Sequence, residues 1–154
     1  MTRLLLTLLL SIPNARSAAG ADEQVIRVAI ARNVKQFRLN TSADAFLVET
    51  KTGQRYQLLA RSVYEVKYIS PSSLAVAGQT LESPVRILAG NGGDAIRMNG
   101  RHYKGDIYLR TNGAEKLEVV EHLPVEDYLC GVLPAEMSPD WPLEALKAQA
   151  VASR

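Results

Sequence analysis

The chain has 154 residues, 47% hydrophobic and 22% charged, which supplies one buried core and excludes wholesale disorder. Its 18 basic and 16 acidic residues give a formal charge of +2, and two of the basic ones, Arg3 and Arg16, fall in a leader expected to be removed. Without them the balance is neutral and no Lys/Arg run is interleaved with aromatics, so neither nucleic acid nor an anionic membrane is indicated as a partner.

The N-terminus sets Arg3 before an apolar run from Leu4 to Ile12, then Pro13 and a series of small residues. That order predicts a secretory signal peptide over residues 1–21, with Ser17-Ala18-Ala19 and Ala19-Gly20-Ala21 offering the small side chains that cleavage requires. The apolar run is too short to span a bilayer, which disfavours an anchor. The protein is therefore expected to be exported, to the periplasm or the cell wall. Cys130 is the only cysteine, so this chain can form neither an intrachain disulfide nor a cysteine-based zinc site. Its apolar neighbours in DYLCGV predict a small buried hydrophobe rather than a nucleophile paired with His102 or His122.

Residues 22–100 read as β scaffold. In Val25–Arg32, alternation sends Val25, Arg27, Ala29 and Ala31 one way and Ile26, Val28, Ile30 and Arg32 the other. Further strands are predicted at Phe37–Asn40, Ala45–Glu49, Tyr56–Leu59, Val63–Ile69, Leu74–Ala77, Pro84–Leu88 and Ala95–Met98. Lys51-Thr52-Gly53 and Asn99-Gly100 are hairpin turns. The glycine-rich stretch Ala89–Asp94 lacks a following helix and a Gly-Lys-Ser/Thr ending, so it is a turn and not a phosphate cradle. Tyr103–Arg110 and Leu117–His122 continue the pattern, with Ile107 and Leu109 opposed to Asp106, Tyr108 and Arg110. The expected fold is α+β: a sandwich or barrel of short antiparallel strands, then two C-terminal helices, the last running into the end of the sequence. His102 and His122 have no metal-ligand spacing around them, and neither a metal nor a cofactor is expected.

The texture changes at Glu121. Pro124 suits the first position of a short helix, Glu126 and Asp127 suit its first turn, and Gly131 is placed to close it. Asp140 is the predicted cap of the last helix, with Trp141 and Pro142 in its first turn. Leu143, Leu146, Ala150 and Val151 would form its apolar face, and Ala145, Ala148 and Ala152 would keep it slim enough to pack on a sheet. Lys147 and Arg154 are assigned to solvent. Glu136 stands apart from these roles. It is expected in a stiff loop between Pro134 and Pro139, beside Leu133, Met137 and Trp141, which would desolvate it and raise its pKa. Rigid placement of one carboxyl is what a general acid requires.

Three blocks in order, Leu123–Val132, Pro134–Met137 and Trp141–Arg154, resemble the SpoIID/LytB family of sporulation stage II protein D and the amidase enhancer. The strand YKGDIYLR before them is similar to the family's lead-in. The resemblance assigns residues 101–154 to the start of a domain that continues beyond Arg154. It implies a protein acting on peptidoglycan glycan strands, most concretely a lytic transglycosylase that cleaves the MurNAc–GlcNAc linkage where stem peptides are missing. The Glu of its Pro-Ala-Glu-Met block, here Glu136, is the implied catalytic acid/base. The enhancer branch implies the alternative, a non-catalytic wall-binding module that stimulates an N-acetylmuramoyl-L-alanine amidase. One carboxylate suffices for the first reading, because the C6 hydroxyl of the sugar replaces the water that a hydrolase activates with a second one. Asp140 and Glu144 are adequately explained by capping and surface roles.

Overall fold

A computed structural model describes residues 24–89 and 96–154. The predicted signal peptide and most of the Ala89–Asp94 turn lie outside these residues. Twelve strands and two helices are described, and the strands form two six-stranded antiparallel sheets.

The first sheet contains β1 (Val25–Val34), β12 (Lys116–Pro124), β11 (Asp106–Asn112), β8 (Val85–Ala89), β3 (Ala45–Glu49) and β4 (Arg55–Leu58), in that spatial order. The second runs β10 (Arg101–Tyr103), β9 (Ile96–Met98), β2 (Gln36–Thr41), β5 (Ser62–Ser70), β6 (Ser73–Val76) and β7 (Gln79–Glu82). Period-two alternation gives most strands one apolar face. Leu47, Ile87, Ile107 and Val119 from the first sheet and Leu39, Val66, Leu74 and Ile96 from the second are fully buried in one shared core. The architecture is a sandwich, within the expected α+β class.

Two turns follow directly from residue type. Asn99 and Gly100 both have positive φ, 49° and 80°, which the two-residue β9–β10 hairpin requires and Asn-Gly tolerates. Gly53, with φ of 74°, closes the β3–β4 hairpin by donating its N–H to the Glu49 carbonyl at 2.9 Å. The Glu49 side chain ties the sheets together at the same place. Its carboxylate accepts from the Thr52 hydroxyl at 2.5 Å and from the Glu82 N–H of β7 at 2.6 Å. Those two bonds hold its pKa below the usual carboxylate value.

Three expectations change. Gln79–Glu82 forms a strand that its polar composition concealed. Tyr103–Arg110 is two strands in different sheets, divided at Lys104-Gly105. The reason is close approach: a Cβ on Gly105 would fall 2.4 Å from the His122 carbonyl oxygen and 2.8 Å from the Leu123 Cβ. Third, β1 does not keep its simple alternation. Ala29 pairs with Val120 but Ala31 pairs with Val119, so one extra residue is accommodated on β1 and the faces exchange beyond it.

A candidate active site at the sandwich end

β12 delivers the chain from the sandwich into helix α1 (Val125–Glu136). Leu117, Val119, Glu121 and Leu123 share its inward side and all are buried. Glu121 is an acid at a core-facing position, and its Oε1 accepts from the Lys104 N–H at 3.1 Å and the Gly105 N–H at 2.9 Å. This interaction fixes the crossing between the sheets just where α1 begins. Alternation along β12 already pointed Glu121 inward, which was the available signal for this role.

The helix is longer than its sequence suggests. Gly131 does not end it, and Pro134 lies inside it. Glu136 is therefore not in a loop between the helices but is the last residue of α1, where the Met137 N–H bonds the Leu133 carbonyl at 3.0 Å. A proline this close to the end loses only the bond to Cys130, while Val125 and Leu129, both buried, anchor the first two turns. Pro124 is the N-cap residue rather than the first helical residue, and Glu126 and Asp127 occupy the first turn as expected.

The second helix, α2 (Leu143–Ala152), is preceded by Pro142 as its N-cap residue. Asp140 instead belongs to the connecting turn, where its N–H donates to the Ser138 hydroxyl at 3.3 Å and the Trp141 N–H bonds the Ser138 carbonyl at 3.2 Å. No α2 residue is buried, and α2 packs chiefly on α1 rather than on a sheet. Ala145, Leu146, Gln149, Ala150 and Ser153 form its partly covered face, while Leu143 and Val151 are exposed. Arg154 is not simply solvated, because it reaches back to Glu126 at 2.9 Å. Lys147 is exposed and pairs with Glu144 at 2.8 Å.

This face reaches Glu136. The Gln149 amide donates to Glu136 Oε2 at 2.5 Å, and the Ser153 hydroxyl donates to the same oxygen at 3.5 Å. Gln149 is itself held by Ser153 at 3.2 Å. Both donors are neutral, so they orient the carboxylate without pairing its charge, and Oε1 has no hydrogen-bond partner among the described residues. The expected desolvation does not occur: Glu136 is exposed and Trp141 is 56% exposed. Sequence reasoning missed Gln149 and Ser153. Their spacing of four residues puts them on one side of a helix, but only the packing of α2 on α1 turns that side toward Glu136.

A groove of about 440 Å³ runs between the β10–β11 crossing and α1, and Asp127, Tyr128, Gly131 and Val132 form its helical wall. Tyr103 and Lys104 face them, with Glu121 at the base. These α1 positions form one stripe. Glu136 is not among the residues that line this groove; at about 100° per residue it lies on the side of α1 that carries Val125 and Leu129, one turn beyond Val132. Cys130 also lines the groove and is exposed, contrary to its predicted burial. The helical turn that buries Leu129 rotates Cys130 outward. Among the described residues no group of three His, Cys, Asp or Glu side chains could hold a metal ion.

Comparison with known proteins decides which family this end of the molecule resembles. Residues 113–154 match the SpoIID family, stage II sporulation protein. The match takes in β12, α1 and α2, and it supports a cell-wall-related role in general. An uncharacterized protein of Brachyspira hyodysenteriae is 53% identical over 62 residues, which are 40% of this chain and 16% of that relative. The chain thus spans a small part of the relative's length. No solved structure matches.

Proposed function

We propose that this protein is an exported lytic transglycosylase acting on peptidoglycan strands that lack stem peptides, with Glu136 as its single acid/base. One observation carries the reading: an exposed carboxylate at the end of α1, oriented through one oxygen by two neutral donors and left open at the other. Glu136 Oε1 delivers a proton to the oxygen linking MurNAc to GlcNAc. The C6 hydroxyl of the same MurNAc attacks its anomeric carbon as the C1–O bond breaks, and its proton passes to the Glu136 carboxylate. The products are a free GlcNAc end and a 1,6-anhydro sugar, and the acid is regenerated without water. A second carboxylate is not required by this route, because the sugar supplies its own nucleophile.

The test is mass spectrometry of products released from stripped glycan by the full-length protein. The parent is expected to release anhydro sugars, and Glu136→Gln to lose roughly 10²–10⁴-fold in rate, as expected for removal of a general acid/base. Anhydro product at the parental rate from Glu136→Gln would sink the proposal. Should the parent release none, while both proteins bind glycan and stimulate an N-acetylmuramoyl-L-alanine amidase equally, the enhancer reading replaces it.

A further inference from the structure

A second pocket, of about 580 Å³, opens on the outer face of the first sheet. It lies on the opposite side of β12 from the groove, for it is lined by Glu118, Val120 and His122 rather than Glu121 and Leu123. Ala29, Val120 and Pro84 supply apolar surface. The Tyr108 ring stacks on the His122 imidazole with centroids 4.0 Å apart and planes at 23°. The Arg86 guanidinium lies over the Tyr108 ring, 5.6 Å from its centre, and pairs with Asp106. The aromatic pair is thus flanked by Arg86 of β8, itself tied to Asp106 of β11.

Among the described residues, the positive charge in this pocket is only partly neutralised. Arg110 is paired with Glu118 at 2.7 Å, but Arg27 and Arg32 are exposed and make no ion pair among the described residues. Alternation alone would send these two to opposite faces of β1. The register shift between Ala29 and Ala31 returns Arg32 to the side of Arg27, so the irregularity in the strand is what assembles the pair. His122 adds a neutral polar group. Burial above all, then Arg27, with Arg86 and Arg110 adding to them and Asp106 opposing, depresses its pKa. Near pH 7 the imidazole therefore offers one donor and one acceptor.

We propose that this pocket binds a carboxylate-bearing sugar, with Arg27 and Arg32 taking the carboxylate and the apolar surface and Tyr108 taking the C–H face of the ring. Guanidinium forks match a carboxylate in bidentate fashion. A bare phosphate would satisfy the arginines and leave the apolar and aromatic surface unused. The choice of sugar rests on the transglycosylase reading: a strand without stem peptides exposes a free lactyl carboxylate on each N-acetylmuramic acid. The pocket would then grip the polymer on a surface separate from Glu136.

Titration of the full chain with N-acetylmuramic acid, followed by NMR of the arginine and histidine side chains, tests this. N-acetylglucosamine and inorganic phosphate form parallel arms. Saturable binding of N-acetylmuramic acid is expected to shift Arg27, Arg32 and His122 signals, with the other two probes at least roughly tenfold weaker. Each of Arg27→Ala and Arg32→Ala is expected to weaken it roughly tenfold, and Arg27→Lys to restore part of the loss. Both side chains are exposed, so the variants should keep the parental circular dichroism. Equal binding of the neutral sugar, equal binding of phosphate, or parental affinity in the double Ala variant each overturns the proposal. Glu136→Gln should bind N-acetylmuramic acid as the parent does. Failure of sugar binding therefore leaves the cleavage test intact, and failure of the cleavage test leaves the pocket intact.

Discussion

Leu39, Leu47, Val66, Ile87 and Ile107 have no exposed surface between the two sheets, whereas α2 buries no residue and leaves Leu143 and Val151 64% and 77% exposed. The sandwich spends its apolar side chains on cohesion. The helix pair spends its side chains on position: Gln149, Ser153 and Glu136 form a polar contact between helices where an apolar one would have been more stabilising. Within the described residues, stability and the proposed chemistry therefore sit in different parts of the molecule, joined through β12. A variant in one part should leave the property of the other nearly unchanged.

The largest effect expected from breaking that division is in the core. Leu47→Ala removes a fully buried side chain from a strand paired on both sides and should cost about 2–5 kcal/mol of unfolding free energy. Chemical denaturation measures it, and a cost below about 1 kcal/mol would mean that the core is not shared as described. Gly105→Ala should come next, at about 1–3 kcal/mol, because the added methyl meets backbone that cannot swing away. It tests the junction itself, and a neutral result by the same measurement would show that the crossing yields.

A smaller effect of opposite sign is expected on the helix. Gly131 lies inside α1 with nothing within 4 Å of an added Cβ. Gly131→Ala should stabilise by about 0.5–1 kcal/mol through helix propensity, read as a raised denaturation midpoint. If Gly131 really ended the helix in a left-handed turn, the same change would destabilise.

The smallest effect concerns pH. The folded pKa of His122 lies below the ordinary value of 6.5, so below that pH the unfolded chain takes up the proton first. Its stabilising contribution is complete above the ordinary value and is lost as pH falls through the folded one. The parent should therefore lose more stability than His122→Gln between pH 7.5 and 5. Equal losses by denaturant titration at the two pH values would remove His122 from this account.

Much of this was legible in residue type and spacing. Ile107 and Leu109 alternate with Asp106, Tyr108 and Arg110 and are buried as that pattern implies, and Asn99-Gly100 turns the chain because those two residues accept positive φ. The helical segments were legible as well, but not their ends. A proline and a glycine read locally as breakers, yet Pro134 and Gly131 are both tolerated in α1 because Val125 and Leu129 hold the helix on the sandwich. The same extension puts Glu136 on the helix rather than in a loop.

Sequence by itself determined the alternating apolar strands and their tight turns, because periodicity and φ preference act over a few residues. Tertiary structure alone decided which oxygen of Glu136 is held, that Glu121 secures the crossing at Gly105, and that Arg32 stands beside Arg27. Each of those depends on groups distant along the chain, or on a one-residue shift in strand pairing, and no local pattern encodes where such partners meet.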